Sequence, residues 1–227
     1  MSGVTDCYQP IERKLQLTRR CLAVLAEFRN PVSIITKNAL VTRDLDLLRE
    51  LAAYRAVHVN ISITTLDPEL ARKLEPRAAS PKGRLTAMET LAKAGVPVGV
   101  LIAPAIPAIN DHEIPSVLAA AKAAGASWGN TEVLRLPLTV APIFQEWLER
   151  NFPERKDKVL NRIRAIRGGK LNDPRFGSRM RGEGIFADQI SQIFHVACRK
   201  IGLPADGHEL STAAFRLPSG AQLPLGL

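Results

Sequence analysis

At 227 residues the chain can bury one sizeable core, and aliphatic and alanine content is high while aromatics reach only 5%, which suits α/β layers. No apolar run reaches membrane-span length, and the start, MSGVTDCYQP, lacks the charged and apolar parts of a secretory leader. Three widely spaced cysteines, Cys7, Cys21 and Cys198, argue against a disulfide framework or a close-spaced zinc or cluster site, which points to the reducing cytoplasm, and the charge of +9 permits an acidic partner without requiring one.

In chain order, Gly3 to Tyr8 reads as a loop or strand end, and Pro10 opens a helix to about Arg29, with Leu15, Cys21, Leu22, Leu25 and Phe28 at helical spacing. Asn30-Pro31 breaks it. Val32 to Thr36 (VSIIT) is a compact β-branched strand ending in Lys37-Asn38, and Arg43 to Tyr54 is an amphipathic helix. From Val57 to Thr64, apolar Val57, Val59, Ile61 and Ile63 alternate with His58, Asn60, Ser62 and Thr64, the period of a strand. Asp67-Pro68 then supplies an acidic cap and a first-turn proline for a helix to Leu74. A Pro-bounded loop, a helix to Ala94 and a buried-type strand, Val96 to Ala103, follow. The next helix, Asp111 to Ala124, stops at Gly125, and Thr131 to Leu136 (TEVLRL) is another strand-like run.

Strand–helix alternation at roughly 30-residue spacing implies right-handed βα units and a parallel sheet. In a closed or nearly closed barrel, Asn60, Ser62 and Thr64 would point inward near the strand's C-terminal end, where βα folds bind ligands. A partly solvated strand with ordinary Ser and Thr is the bland alternative. The rhythm ends after Pro137. Pro142 to Phe152, Asp157 to Arg167 and Asp188 to Ile201 read as helices around a Gly/Arg-rich stretch, and the chain from Pro204 reads as a loosely ordered tail. The expected division is therefore 1–137 barrel, 138–203 helical extension and 204–227 tail.

TDCYQP, ITKN followed by DLDLL, NISIT followed by KLEPRAASPKGR, and GVPVGVLIAP together resemble the radical SAM superfamily, in the branch similar to spore photoproduct lyase. RGGKLNDPRFGSRMRGEG resembles a signature within that branch. The resemblance implies a partial parallel (β/α) barrel in the α/β class. It also implies a [4Fe–4S] cluster on a CxxxCxxC loop and S-adenosylmethionine (SAM) cleaved to a 5′-deoxyadenosyl radical. Three thiolates leave one iron open to the methionine amino and carboxylate groups. This sequence has no CxxxCxxC. The resemblance thus implies a chain that starts after the cluster loop with the first βα unit missing: the C-terminal piece of a longer protein, or a remnant without cluster chemistry. No metal ligands are assigned. A missing edge unit would uncover about 400 Å² of apolar surface, on the order of 10 kcal/mol at about 25 cal/mol per Å². That is comparable with a domain's whole stability of about 5–15 kcal/mol, so poor expression or aggregation is expected.

On the same resemblance, Asp6 stands where the family meets the SAM ammonium, and Lys37 and Ser62 match the TK lysine and SI serine that reach its carboxylate. A loop cap, a solvated lysine and an ordinary inward serine are the respective alternatives. Arg77 and Arg84 bracket the following loop, as anion contacts or as loop ties. Asn110 to Glu113 reads as a helix cap with acidic first-turn residues rather than a metal cluster.

In the basic run from Arg162 to Arg181, Arg175, Arg179 and Arg181 are candidate phosphate contacts and Phe176 a base-stacking one. A solvated face is the alternative. The end of the chain, with Gln222, Leu223, Leu225 and Leu227, resembles peptides that dock on the bacterial sliding clamp. Two other functions stay open: a non-catalytic basic module binding DNA and clamp, and a barrel enzyme with Lys37 as Schiff-base nucleophile.

Overall fold

A computed structural model describes Met1 and residues 5–217. The clamp-like tail, Gln222 to Leu227, lies outside the described residues.

The expected first helix is two helices, α1 (Glu12–Leu15) and α2 (Leu17–Glu27). Gln16 between them is left-handed at φ 49°, and the Glu12 carboxylate turns back to accept from Leu17 N–H at 2.6 Å, restarting the hydrogen-bond ladder. β1 (Val32–Thr36) follows, then a 3-10 helix (Ala39–Asp44) whose Asn38 cap accepts from Leu40 N–H, then α3 (Leu45–Ala53). β2 (Val57–Ser62) leads into α4 (Pro68–Leu74), started by Asp67 accepting from Glu69 N–H and by Pro68 at its first position. Ser80 and Pro81 start α5 (Pro81–Lys93) in the same way. β3 (Val98–Ala105), a 3-10 turn (Asp111–Glu113), α6 (Ile114–Ala123) and β4 (Trp128–Val133) complete the alternation. Then come α7 (Val140–Asn151), a 3-10 turn (Pro153–Arg155), α8 (Lys156–Ile166), α9 (Ser178–Arg181) and α10 (Ile185–Ile201).

All four strands are parallel and lie side by side in chain order, the geometry of a partial barrel. Ile34, Val59, Ile61, Val100 and Ile102 pack outward into the main core with Leu48, Leu51, Met88, Leu91, Val117 and Phe194. The other face carries cross-strand rows: Ser33 beside His58; Ile35, Asn60, Gly99 and Trp128; Ser62, Leu101 and Asn130. Trp128 lies across the lower part of this inner face. Its indole N–H donates to Asn60 Oδ1 at 2.9 Å, and the His58 and His208 rings pack on it at 5.2 and 5.5 Å. Position 99 must be glycine here, since a Cβ would lie 2.1 Å from the indole. The inner face is thereby filled toward the strands' N-terminal ends and open toward their C-terminal ends.

β4 starts three residues before the expected Thr131, because Trp128 and Gly129 pair with Gly99 and Val100 although Ser-Trp-Gly-Asn reads like a turn. A second core, with Leu70, Ile106, Leu136, Phe144, Leu148 and Leu160, joins α7 and α8 to α4 and to the segments after β3 and β4. The stretch from Pro204, expected to be loose, is tied down as far as Arg216. Pro204 O accepts from Gly129 N–H, Ser211 N–H donates to Arg55 O, and Arg216 N–H donates to Phe28 O. No helix among the described residues is long and apolar enough to cross a membrane.

Candidate functional site

A cavity of about 630 Å³ opens at the C-terminal ends of the strands, within the size range of small-molecule sites. Asp6, Lys37 and Ser62 all line it. The N-terminal loop and two strand ends thus bring together the three residues singled out in the sequence.

Their partners differ in kind. The Asp6 carboxylate accepts from Thr36 Oγ1 (2.7 Å), Lys37 N–H (2.7 Å) and Tyr8 N–H (2.8 Å), so it fastens the N-terminal loop to the end of β1. Ser62 Oγ donates to Ala103 O at 3.1 Å, across to β3. Lys37 Nζ meets Glu75 Oε1 at 2.5 Å while its side chain stays one-third exposed.

Glu75 is the hinge of this wall. Its carboxylate also takes Thr64 Oγ1 (2.8 Å) and the guanidinium of Arg84 (2.5 Å). Arg84 is fully buried, and it donates further to Ala79 O and to Ser62 O, both at 2.8 Å. Arg84 is therefore a tie holding β2's end. Arg77 is exposed. Burial alone would raise the Glu75 pKa, but Lys37 and Arg84 outweigh it and hold the group below its ordinary 4.5.

Asn110 holds the expected N-cap position, with Asp111 and Glu113 in the first turn, but its side chain makes no capping bond. Asn110 is buried, donating to Thr64 O and Pro104 O and accepting from Ile106 N–H, which staples β2's end to β3's. Glu113 accepts from Thr65 Oγ1 and Leu66 N–H, fixing the loop after β2.

The opposite wall comes from β4 and the segment after it. Glu132, Arg135 and Met180 line the cavity, and none was singled out from sequence. Burial raises the Glu132 pKa and Arg135 partly opposes it. Arg167, counted in the basic run, is buried instead. It donates to Val133 O, Leu134 O, Ser178 O and Arg179 O, drawing α9 onto the end of β4. Gly182 (φ 78°) follows, where a Cβ would lie 2.2 Å from Ile166 Cγ2.

The rest of the basic stretch is less free than its composition suggests. Arg175 is held by Asp173 and by Glu183 at 3.0 Å, and Asp173, with Ser178 as a further donor, is depressed well below the carboxylate range. Arg162 faces Asp111 at 3.8 Å. Phe176 is 90% exposed, with the Arg179 guanidinium over its ring at 5.1 Å. Arg181 is exposed and lines a second cavity with Asp188, Ser191 and His195.

The cysteines do not fit an iron–sulfur cluster. Among the described residues no three His, Cys, Asp or Glu side chains gather as a metal site. Burial and the adjacent Asp6 push the Cys7 thiol up to about 12, Cys21 is exposed, and Cys198 is buried with a raised pKa. No step through a cluster is derived from these residues.

A four-strand parallel α/β sheet with a polar cleft across its strands' C-terminal ends has the architecture of a partial βα barrel, and that end is where such folds bind ligands. The chain belongs to the radical SAM superfamily, whose family model matches residues 1–121. It is 32% identical over 180 residues to an uncharacterized protein of Mycobacterium tuberculosis, covering 78% of this chain and 52% of that protein. An uncharacterized protein of Methanocaldococcus jannaschii is 32% identical over 163 residues, 71% of this chain and 59% of that one. One from Acidianus two-tailed virus is 43% identical over 107 residues, 47% and 34% of the two chains. The chain spans about half the length of the curated relatives it matches first.

Proposed function

We propose that this chain is the SAM-cradling part of a radical SAM enzyme of the spore photoproduct lyase-like branch, acting on nucleic acid. The observation that carries it is the meeting of Lys37 and Ser62 in one cavity at adjacent strand ends. Lys37 has an ammonium with donors left after its bond to Glu75, and Ser62 has an accepting lone pair left and a hydroxyl that can rotate. Together they suit a carboxylate. Asp6 keeps the site's shape through its three donors and adds negative charge beside an ammonium group. Leu101, Ala103 and Pro104 give an apolar wall for a ring. SAM, reduced by an iron–sulfur cluster, supplies a carbon radical. This chain lacks the cluster ligands, so on its own it binds and orients without cleaving.

Isothermal titration of the chain with SAM tests this. Saturable binding is expected, weakened about tenfold or more in Lys37→Ala and several-fold in Ser62→Ala, as for lost charge-assisted hydrogen bonds. Equal binding by the wild type and both variants, or none by the wild type, refutes it.

The nucleic-acid half of the proposal is supported by the bare Phe176 ring backed by Arg179, and by the net charge of +9.

A further inference from the structure

We propose that the Arg135 end of the cavity is a second binding position, built for a compact oxyanion: a phosphodiester, a free phosphate or a carboxylate. Lys37 follows β1 and Arg135 follows β4, the outer strands of the four. Three inter-strand spacings, about 14 Å, separate those strand ends. A group at Arg135 therefore sits apart from whatever Lys37 and Ser62 hold.

Three observations converge there. First, no ion pair among the described residues involves Arg135 or Arg167, although every carboxylate-bound arginine of the fold is accounted for elsewhere. Second, both guanidiniums have a buried Nε–H with no acceptor. Arg167's other donors are committed to four backbone carbonyls, while Arg135, on the cavity wall, meets only the soft Sδ of Met180 at 3.4 Å. Third, burial and then the nearby Arg135 charge disfavour the Arg167 cation, and Asp173 offsets them only in part. Two cations with idle Nε–H donors and no ion pair are costly unless an anion joins them. A guanidinium fork matches an oxyanion's two oxygens. Glu132 is the single carboxylate on this wall beside Arg135, and it makes no hydrogen bond or ion pair within the described residues, so it opposes an incoming anion. That gives the proposal a sign that a merely structural arginine would not have.

The test is titration of the ¹⁵N-labelled chain with inorganic phosphate, dimethyl phosphate and acetate, followed at the guanidinium Nε–Hε resonances. A saturable shift at Arg135 is expected. Arg135→Gln should weaken it about tenfold or more, with an otherwise unchanged amide spectrum as the control for folding. Glu132→Gln should tighten it several-fold. A preference for dimethyl phosphate points to a nucleic-acid backbone as the source, and a preference for phosphate or acetate to a small acid. No saturable shift with any of the three probes overturns the proposal, as does unchanged affinity in Arg135→Gln or weaker affinity in Glu132→Gln. SAM binding at Lys37 and Ser62 is read by a different titration, so either assignment can fail without the other.

Discussion

Glu75 sits at the C-terminal end of α4, where the helix dipole disfavours an acid. What outweighs that cost is the buried Arg84 and the one-third-exposed Lys37, both bound to one carboxylate. Glu75→Gln leaves the Arg84 charge buried without a counter-ion, so a loss of about 3–5 kcal/mol is expected in urea unfolding. The same pairing sets a pH dependence. Because the folded pKa of Glu75 lies below the unfolded 4.5, its contribution is complete above that value and is lost as pH falls through the folded pKa. The wild type should therefore lose stability on acidification below about pH 4.5 more steeply than Glu75→Gln. Parallel curves for the two proteins would remove Glu75 from this role. An acid at a helix C-terminus was a signal already present in the sequence. So was Glu132, because period-two counting from Asn130 puts it on the inner face. Arg167 offered no such signal, since nothing local separates a buried arginine from its neighbours in a basic run.

Elements whose cause is local matched the reading of the sequence. VSIIT is β1 residue for residue, and the Asp67-Pro68 start lies where its cap puts it. Elements set by distant contacts did not. β4's early start depends on Trp128 packing over a glycine of β3, whereas the break at Gln16 has a local cause that the spacing of apolar residues does not register, a carboxylate one turn back. The 168–184 segment is the largest case of distant contacts: Arg167 pins it to β4, and Asp173 and Glu183 neutralise Arg175. If this segment meets nucleic acid, Arg179 and Arg181 carry the contact and Arg175 does not. Replacing Arg179 and Arg181 together by Ala should flatten the salt dependence of DNA binding by about two phosphate contacts, whereas Arg175→Ala should leave the slope within error. A slope that stays the same in the double variant discards the interface. One that falls only in Arg175→Ala moves it to the wrong arginine.

At the scale of the whole molecule, the sheet among the described residues has two edge strands, β1 and β4, and Ile11, Leu15, Leu17 and Val24 expose apolar side chains on and beside the two helices that precede β1. At the β1 edge only the N-terminal segment intervenes, Ser33 O accepting from the Met1 ammonium and Ile35 O from the Cys7 thiol at 4.0 Å, and an apolar patch nearby offers the surface for a stable contact. The two together favour association over a soluble monomer. The outer core is complete on the side of α3, α5, α6 and α10, so self-contact should engage the β1 side and leave the rest of the fold intact. Light scattering coupled to size exclusion should then find concentration-dependent oligomers or aggregates. Placing lysine at Leu17 and Val24, both at least half exposed, should shift the population toward monomer without lowering the melting temperature, because neither side chain is part of the core. A wild-type chain that runs as a monomer at every concentration and melts cooperatively would mean that the β1 edge is adequately covered by the chain's own N-terminal loop.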